Sequence, residues 1–350
     1  MGLSVGIVGL PNAGKSTLFN ALLGRRVAKA ERYPFCTIEP NTGVVSVPDN
    51  RLEKIAQIVR PQEVIPAPVK FIDIAGLVKG AHKGLGLGNK FLAHIRECDA
   101  ILYLLRDFDG GIPKAGSVGP RIDLEVLKTE LALKDLETLM RITQERANTN
   151  EKKLRRSIAE RLILVLEKGD LVQEVDFSKE EKGVVDQFFL LTMKPFFIVI
   201  NVSESADFEE KRREFADLKP VIIAAKFEAD LADLSPQERK EFFLERGFVS
   251  VLDQVITSAY QTLELITFYT IKGGRETRAW PIKNGARAIE AARLVHSDFA
   301  EKFIRAEVVS YNDFIQAGSW EGARSRGKIR TEGRDYQIVD GDIIEFKISP

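Results

Sequence analysis

Cysteine is scarce: the 350 residues hold two, Cys36 and Cys98. Two thiols cannot build a disulfide framework. With no signal-peptide pattern ahead of the first apolar run, the expected home is a reducing cytoplasm. No stretch of about 18 consecutive apolar residues occurs, so no segment is predicted to span a bilayer. The opening Met1-Gly2 invites a myristoylation reading, but Gly6 stands where Ser or Thr is needed. Net charge is also missing, because 51 basic and 51 acidic side chains cancel. No global field then draws the chain to nucleic acid or anionic lipid, and any polyanion contact has to come from a local patch. Neither DNA nor a membrane is an expected partner. Internal repeats and low-complexity tracts are absent. What remains, 44% hydrophobic and 29% charged residues, is the balance of a folded globular chain. Its length suits roughly two to three domains.

Three regimes follow one another. From Leu3 to Asp109, short apolar runs (Leu3–Leu10, Gly43–Val47, Val69–Ile74, Ala100–Leu105) alternate with glycine-rich turns and helical patterns. That is the rhythm of a mostly parallel α/β sheet. From Asp123 to Lys182 the period becomes helical, with stripes through Leu124, Leu127, Leu131, Leu133, Leu136 and Met140, then through Leu154, Ile158, Leu162 and Val165. The polar stretch Ala147–Lys152 reads as the turn of an antiparallel hairpin. Ser178 with Glu181 reads as a capping box. Strand-like Phe196–Val202 and Pro220–Ala224 return to the α/β rhythm, so the helical part is expected as an insertion. Beyond Ile266 the chain turns β-rich, with strands at Ile266–Ile271, Thr277–Pro281, Glu307–Tyr311, Asp335–Val339 and Ile343–Ile348. One helix, Gly285–Leu294, is capped by Asn284, and the whole suits a small independent β-grasp-like domain. The expected division is 1–122 with 195–265, an arm at 123–194, and 266–350.

The run Gly9-Leu10-Pro11-Asn12-Ala13-Gly14-Lys15-Ser16-Thr17 is a G-x-x-x-x-G-K-S sequence between an apolar strand and a helical pattern. That context marks a phosphate-binding loop. Glycines let the backbone wrap closely, so successive N–H groups and a helix N-terminus face the phosphates. In that role Lys15 bridges the β- and γ-phosphates, and the Ser16 hydroxyl is a ligand for Mg²⁺. Asp73-Ile74-Ala75-Gly76, at the end of a strand, adds a carboxylate for a metal-bound water and, at Gly76, an N–H for the γ-phosphate. Thr37 offers a second hydroxyl to the metal. Together these are parts of a nucleotide switch, with Lys15, Thr37 and Gly76 as catalytic candidates and Ser16, Thr37 and Asp73 as metal candidates.

Leu77 follows the D-x-x-G where Ras-like enzymes carry the Gln that orients water. Hydrolysis is therefore expected to be slow, or another group positions the water. His82 in the glycine-rich loop Lys79–Gly88 is one candidate, with an ordinary exposed loop residue as the alternative. Asn12 is a candidate for helping to hold K⁺ near the phosphates. Where GTP switches place N-K-x-D, this chain has Asn201-Val202-Ser203-Glu204. An apolar Val202 and a carboxylate one methylene further out compromise a bidentate guanine clamp. Asn201 can serve the adenine amino and N7 edge, and Val202 can pack on the ring. ATP is thus expected over the weaker GTP. An orthodox GTPase and a nucleotide-gated binding module with negligible hydrolysis remain as alternatives. Cys36, beside Thr37, reads either as an inert apolar residue or as a site where oxidation perturbs metal binding.

The motifs Gly9–Leu22, Tyr33–Val45, Asp73–Leu92, Asn201–Glu204, Ala224–Asp230, Ala279–Val308 and Asp340–Phe346 resemble the Obg-like ATPases of YchF type, nearly end to end. The resemblance implies a P-loop G domain, an inserted coiled-coil arm and a C-terminal TGS domain of β-grasp fold. It also implies Mg²⁺-dependent ATP hydrolysis and binding to the ribosome. It maps phosphate binding to Asn12, Ala13, Gly14, Lys15, Ser16 and Thr17, base contacts to Asn201, Val202 and Glu204, and the back of the base pocket to Ala224–Glu228. Some members carry a catalytic histidine after the fourth strand. The corresponding loop here, Asp107–Pro120, has none, so that role is not transferred. For rRNA contact the candidates are Arg324, Arg326, Lys328, Arg330 and Arg334, and Lys152, Lys153, Arg155 and Arg156 by the hairpin turn.

Overall fold

The computed structural model describes residues 3–26, 41–74, 87–109, 118–146, 148–232, 234, 238 and 250–349. Among them Ser4–Val8 (β1), Lys15–Arg26 (α1), Thr42–Ser46 (β2), Asn50–Val59 (α2), Glu63–Ile65 (β3), Pro68–Asp73 (β4), Leu87–Glu97 (α3) and Ala100–Asp107 (β5) follow in order. The first sheet has six strands in the order β2-β4-β1-β5-β6-β7, with β6 at Phe196–Val202 and β7 at Val221–Ile223. All its pairings are parallel except β2 with β4. Strand β1 is buried throughout and β5 up to Arg106, because both faces are covered. The carboxyl ends of β1, β4, β5 and β6 therefore lie along one edge, where such sheets bind ligands.

The arm is Pro120–Gln144 (α4), Asn150–Glu167 (α5) and Lys179–Val185 (α6). Leu124, Leu127 and Leu131 pack on the sheet, while Leu139 and Ile142 join Ile158, Leu162 and Leu166 in a separate arm core. Two details differ from the sequence expectation. Met140 is 45% exposed, and the position facing inward is Asp135. Its carboxylate accepts from the Leu191 N–H (2.9 Å), the Thr192 N–H (2.8 Å) and the Thr192 hydroxyl (2.7 Å). Burial pushes its pKa up, against those three donors. The arm is thereby anchored to the segment that leads into β6. The turn is also shorter than expected: Thr149 accepts from the Lys152 N–H, so α5 starts inside the polar stretch. Ser178 and Glu181 do form the capping box.

Phe208–Glu214 (α7), Ala225–Ala232 (α8) and Leu252–Thr262 (α9) complete the first unit. The C-terminal unit comprises Leu265–Lys272 (β8), Glu276–Lys283 (β9), Ala288–Val295 (α10), Ser297–Glu301 (α11), Phe303–Ser310 (β10), Tyr311–Ala317 (α12), Trp320–Ser325 (α13), Arg330–Glu332 (β11) and Asp342–Ile348 (β12). Its helix starts at Ala288 rather than Gly285, because Gly285 sits at φ 84° and Glu290 accepts from the Arg287 N–H. Residues 335–339 are not a strand. Gln337 makes an isolated bridge to Arg287, and β11 pairs with β10 instead. Asp342 draws this stretch into a turn by accepting from the Val339 N–H and the Tyr336 hydroxyl.

The second sheet, in the order β11-β10-β12-β8-β9-β3, takes its last strand from the first unit. Strand β3 runs parallel to β9 in the register Glu63↔Glu276 to Ile65↔Arg278. Leu52 and Ile55 of α2 belong to one apolar cluster with Tyr269, Val309, Phe314 and Ile343. Each such side chain, fully buried, is worth about 1.5–3 kcal/mol. The β-grasp unit is therefore sewn onto the G domain by backbone and core alike.

Candidate nucleotide site

β1 ends where the backbone must turn sharply into α1, and the local residues allow it. A Cβ on Gly9 would lie 2.5 Å from the Leu104 carbonyl oxygen. Gly14 has φ 94°, and a Cβ there would lie 2.4 Å from Asn201 Nδ2. Asn12 also adopts a left-handed conformation at φ 62°, which Asn tolerates better than most residues.

Lys15 is folded back into this loop. Its Nζ donates to the Gly9 and Leu10 carbonyls at 3.1 and 3.0 Å. Burial lowers its pKa, opposed by the nearby Asp73 charge. Ser16 donates its hydroxyl to Asp73 Oδ2 at 2.6 Å, bringing the P-loop and the end of β4 together as the sequence spacing anticipates. Asp73 also donates its N–H to the Asn41 carbonyl at 2.8 Å.

Asn201 stands at the far side, on the end of β6, and is buried. Its Nδ2 donates to the Ala13 carbonyl at 3.0 Å, and its Oδ1 accepts from the Ala225 N–H at 2.9 Å. The carboxamide thus joins the phosphate loop to the start of α8. One amide hydrogen and one lone pair have no partner among the described residues. Val202 is buried and Glu204 exposed, and both line the same cavity of roughly 1060 Å³ as Lys15, Ser16 and Asp73.

Phe108, Asp109, Phe227 and Asp230 also line that cavity and were not singled out as site residues in the sequence. Phe227 lies inside the expected back wall, Ala224–Glu228. Phe108 carried no local signal beyond an aromatic beside a glycine-rich loop. The wall has one departure: Glu228 faces away, accepting from the Ser250 hydroxyl (2.8 Å) and the Val251 N–H (2.7 Å). Thr37, Gly76, Cys36, His82 and most of the loops Lys79–Gly88 and Asp107–Pro120 lie outside the described residues.

Ser16 and Asp73 offer two hard oxygen donors beside the phosphate loop. Among the described residues no group of three or more His, Cys, Asp or Glu side chains forms a metal cage. That donor set fits Mg²⁺, which keeps waters and substrate phosphates in its shell. It does not fit zinc.

The two basic clusters differ in how far their charge is already neutralised. In the C-terminal unit Arg324 pairs with Glu307, Lys328 with Asp313, and Arg330 with Asp342 and Glu332. At the arm, Arg156 pairs with Glu160, while Lys152 and Lys153 are exposed. Among the described residues no helix is long and apolar enough to cross a membrane.

Comparison with known proteins covers the whole chain. Residues 4–202 match a family model described as a 50S ribosome-binding GTPase. Residues 265–349 match the C-terminal model of YchF GTPases, described as a protein of unknown function. The Ribosome-binding ATPase YchF of Escherichia coli O157:H7 is 44% identical over 99% of both chains. Those of Haemophilus influenzae and Bacillus subtilis are 43% and 42% identical over 100% of both chains. The solved structure of the Schizosaccharomyces pombe YchF GTPase superposes with a TM-score of 0.85 at 33% identity, covering 99% of this chain and 97% of that one. Identity of this level, held from end to end across phosphate loop, arm and C-terminal sheet, decides the lineage: the chain belongs to the YchF family.

Proposed function

We propose that the chain is a Mg²⁺-dependent P-loop nucleotide switch of the cytoplasm. It binds ATP in preference to GTP, hydrolyses it slowly to ADP and phosphate, and associates with the ribosome. The observation that carries this reading is the convergence of Lys15, Ser16 and Asp73 with Asn201–Glu204 on one cavity. The relatives named ribosome-binding ATPases support it.

In this reading Lys15 exchanges two backbone carbonyls for phosphate oxygens, a stronger charge-assisted pairing. Its partly desolvated ammonium favours that exchange. The P-loop N–H groups and the start of α1 orient the phosphates. Ser16 and Asp73 would hold Mg²⁺, with Thr37 as a further ligand and the Gly76 N–H on the γ-phosphate. When bound, Mg²⁺ would supply charge neutralisation at the transferring group. Asn201 keeps the phosphate loop and base wall in register, Val202 packs on the purine, and Glu204 reads its edge. Asn12 helps to hold K⁺ near the phosphates. Leu77 contributes no polar group to the attacking water, which makes unassisted turnover slow. The same residue favours a second reading, in which the ATP state docks a partner and hydrolysis only resets it.

Titration of the purified chain with labelled ATP and GTP in Mg²⁺ tests the specificity. Tighter GTP binding would overturn it. Ribosome co-sedimentation with and without nucleotide tests the association, and a stimulated turnover assay separates the two readings.

A further inference from the structure

A second cavity, of roughly 720 Å³, lies where α3 meets α4 and the turn before β6. None of its walls belongs to the nucleotide site. Three kinds of group meet there. Arg96, Lys134 and Arg141 supply positive charge, Glu97 supplies an acceptor, and Phe188 and Phe189 supply aromatic surface over Leu92. Lys134 and Arg141 are two turns apart on one face of α4.

Phe189 is the unusual member. Its backbone sits in the left-handed region at φ 51°, ψ 43°, a conformation costly for a bulky residue. Its side chain nevertheless stays in water, 70% exposed, while the neighbouring Phe188 is buried. The left-handed residue closes the turn at 186–188, its N–H donating to the Asp186 carbonyl at 3.4 Å, and that closure leaves the ring in water at the mouth of the cavity.

The cations are available in different degrees. Lys134 is paired with Glu137 at 2.6 Å. Arg96 donates one guanidinium N–H to the Thr138 hydroxyl at 3.1 Å, while its buried Nε has no hydrogen-bond partner among the described residues. Arg141 is exposed and makes no ion pair among the described residues.

We infer that this cavity binds one nucleotide of a single-stranded RNA segment. The base stacks on Phe189, its amino or imino hydrogens face Glu97, and its phosphate faces Arg96 and Arg141. Cation, acceptor and exposed ring together match a nucleotide. An acidic peptide would meet repulsion from Glu97, and an apolar helix would find too short a greasy floor in Leu92 and the two Phe residues. The inference deepens the ribosome association proposed above and rests on it. The site touches the C-terminal half of α3 through Leu92, Arg96 and Glu97.

The full-length protein, loaded with ADP, is titrated with a fluorescein-labelled unstructured RNA oligonucleotide containing 4-thiouridine, then photo-crosslinked and mapped. The expected crosslink falls on the peptide carrying Phe189. Phe189→Ala and Arg141→Ala each weaken binding at least about five-fold, the lower range for one lost base stack, and Phe189→Tyr restores it. Phe189→Leu keeps the apolar bulk without a π-face and should bind as weakly as Phe189→Ala. Full binding by Phe189→Leu would overturn the RNA assignment and point to a protein-docking pocket. Crosslinks confined to other peptides, or unchanged affinity in both alanine variants, would also overturn it. Basal ATP turnover of these variants should match wild type, which confirms their fold. Ribosome co-sedimentation is read separately, so loss of the wider reading and loss of this pocket are distinguishable.

Discussion

Tyr269 of β8 donates its hydroxyl to Asp49 Oδ2 at 2.5 Å, while Asp49 Oδ1 caps α2 by accepting from the Arg51 N–H at 2.9 Å. One carboxylate therefore serves as helix cap for the G domain and as a hydrogen-bond partner for the C-terminal sheet. Burial and this negative neighbour both push the Tyr269 pKa up. Tyr269→Phe should lower stability by about 1.5–3 kcal/mol, the range for a hydrogen bond to a charged group. Asp49→Ala should cost about 1 kcal/mol more, because the cap is lost as well. Denaturant melts decide this, and identical midpoints for Tyr269→Phe and wild type would show the latch to be idle.

Next to that latch, Arg51 makes two hydrogen bonds to Asp340, which also accepts from the Thr267 N–H. Burial opposes ionisation of Asp340, but the Arg51 hydrogen bond, the Thr267 N–H and the Arg51 charge outweigh it and hold the pKa below its ordinary 3.8. The stabilisation is thus present above that ordinary value and lost as pH falls through the lower folded one. Acid unfolding of Arg51→Gln should begin at higher pH than that of wild type. Superimposable acid transitions would count against the pair.

Gly14→Ala should weaken nucleotide binding while leaving the fold largely intact. The new methyl meets Asn201 Nδ2 at 2.4 Å on a backbone at φ 94°, so the loop has to shift away from the phosphates. A weakening of at least about ten-fold is expected, since 1.4 kcal/mol suffices for that factor. Isothermal titration with ATP measures it, with circular dichroism as the control for folding.

Asp73→Asn keeps the shape beside Ser16 but removes the negative charge that this pair offers a cation. Turnover should fall on the order of 100-fold, the scale for losing one preorganised electrostatic group. The Mg²⁺ concentration needed for half-maximal turnover should rise. An unaltered Mg²⁺ dependence would remove Asp73 from the metal role.

Glu204→Asp shortens the carboxylate by one methylene at the rim of the base pocket. It should raise relative GTP affinity about ten-fold or more, since discrimination by a hydrogen-bonding site commonly exceeds that of an apolar one. Competition between ATP and GTP for the labelled ligand is the measurement, and an unchanged ratio would place the specificity on Phe108, Phe227 or the backbone.

The phosphate loop was legible because every requirement is local: glycines, Lys15 and Ser16 lie between one apolar strand and one helix. Asp73 was legible for the same reason, at the end of β4. Asp135 was not. A carboxylate in an apolar stripe looks like a break, and its donors, Leu191 and Thr192, come from beyond the whole helical hairpin. Met140 took its place in the expected stripe because a leucine-like residue fits the period when tertiary partners are unknown. Strand β3 was equally opaque, since three residues show no periodicity and its partner β9 lies far along the chain. Phe108 reaches the cavity from the end of β5 and Phe227 from α8, a juxtaposition that only the sheet order creates.

The strand that β3 lends to the second sheet also sets an order of events during synthesis. Its partner β9 leaves the ribosome only after the phosphate loop, the arm and the rest of the first sheet have emerged. Until then β3 has an unpaired edge, and the apolar side of α2 waits for Val309, Phe314 and Ile343. Unpaired edges and exposed apolar faces are what draw nascent chains into wrong partnerships. A chain cut short before β9 would thus hold every residue of the first domain yet leave β3 and α2 uncovered, and a nascent chain stalled there should call most strongly on chaperones.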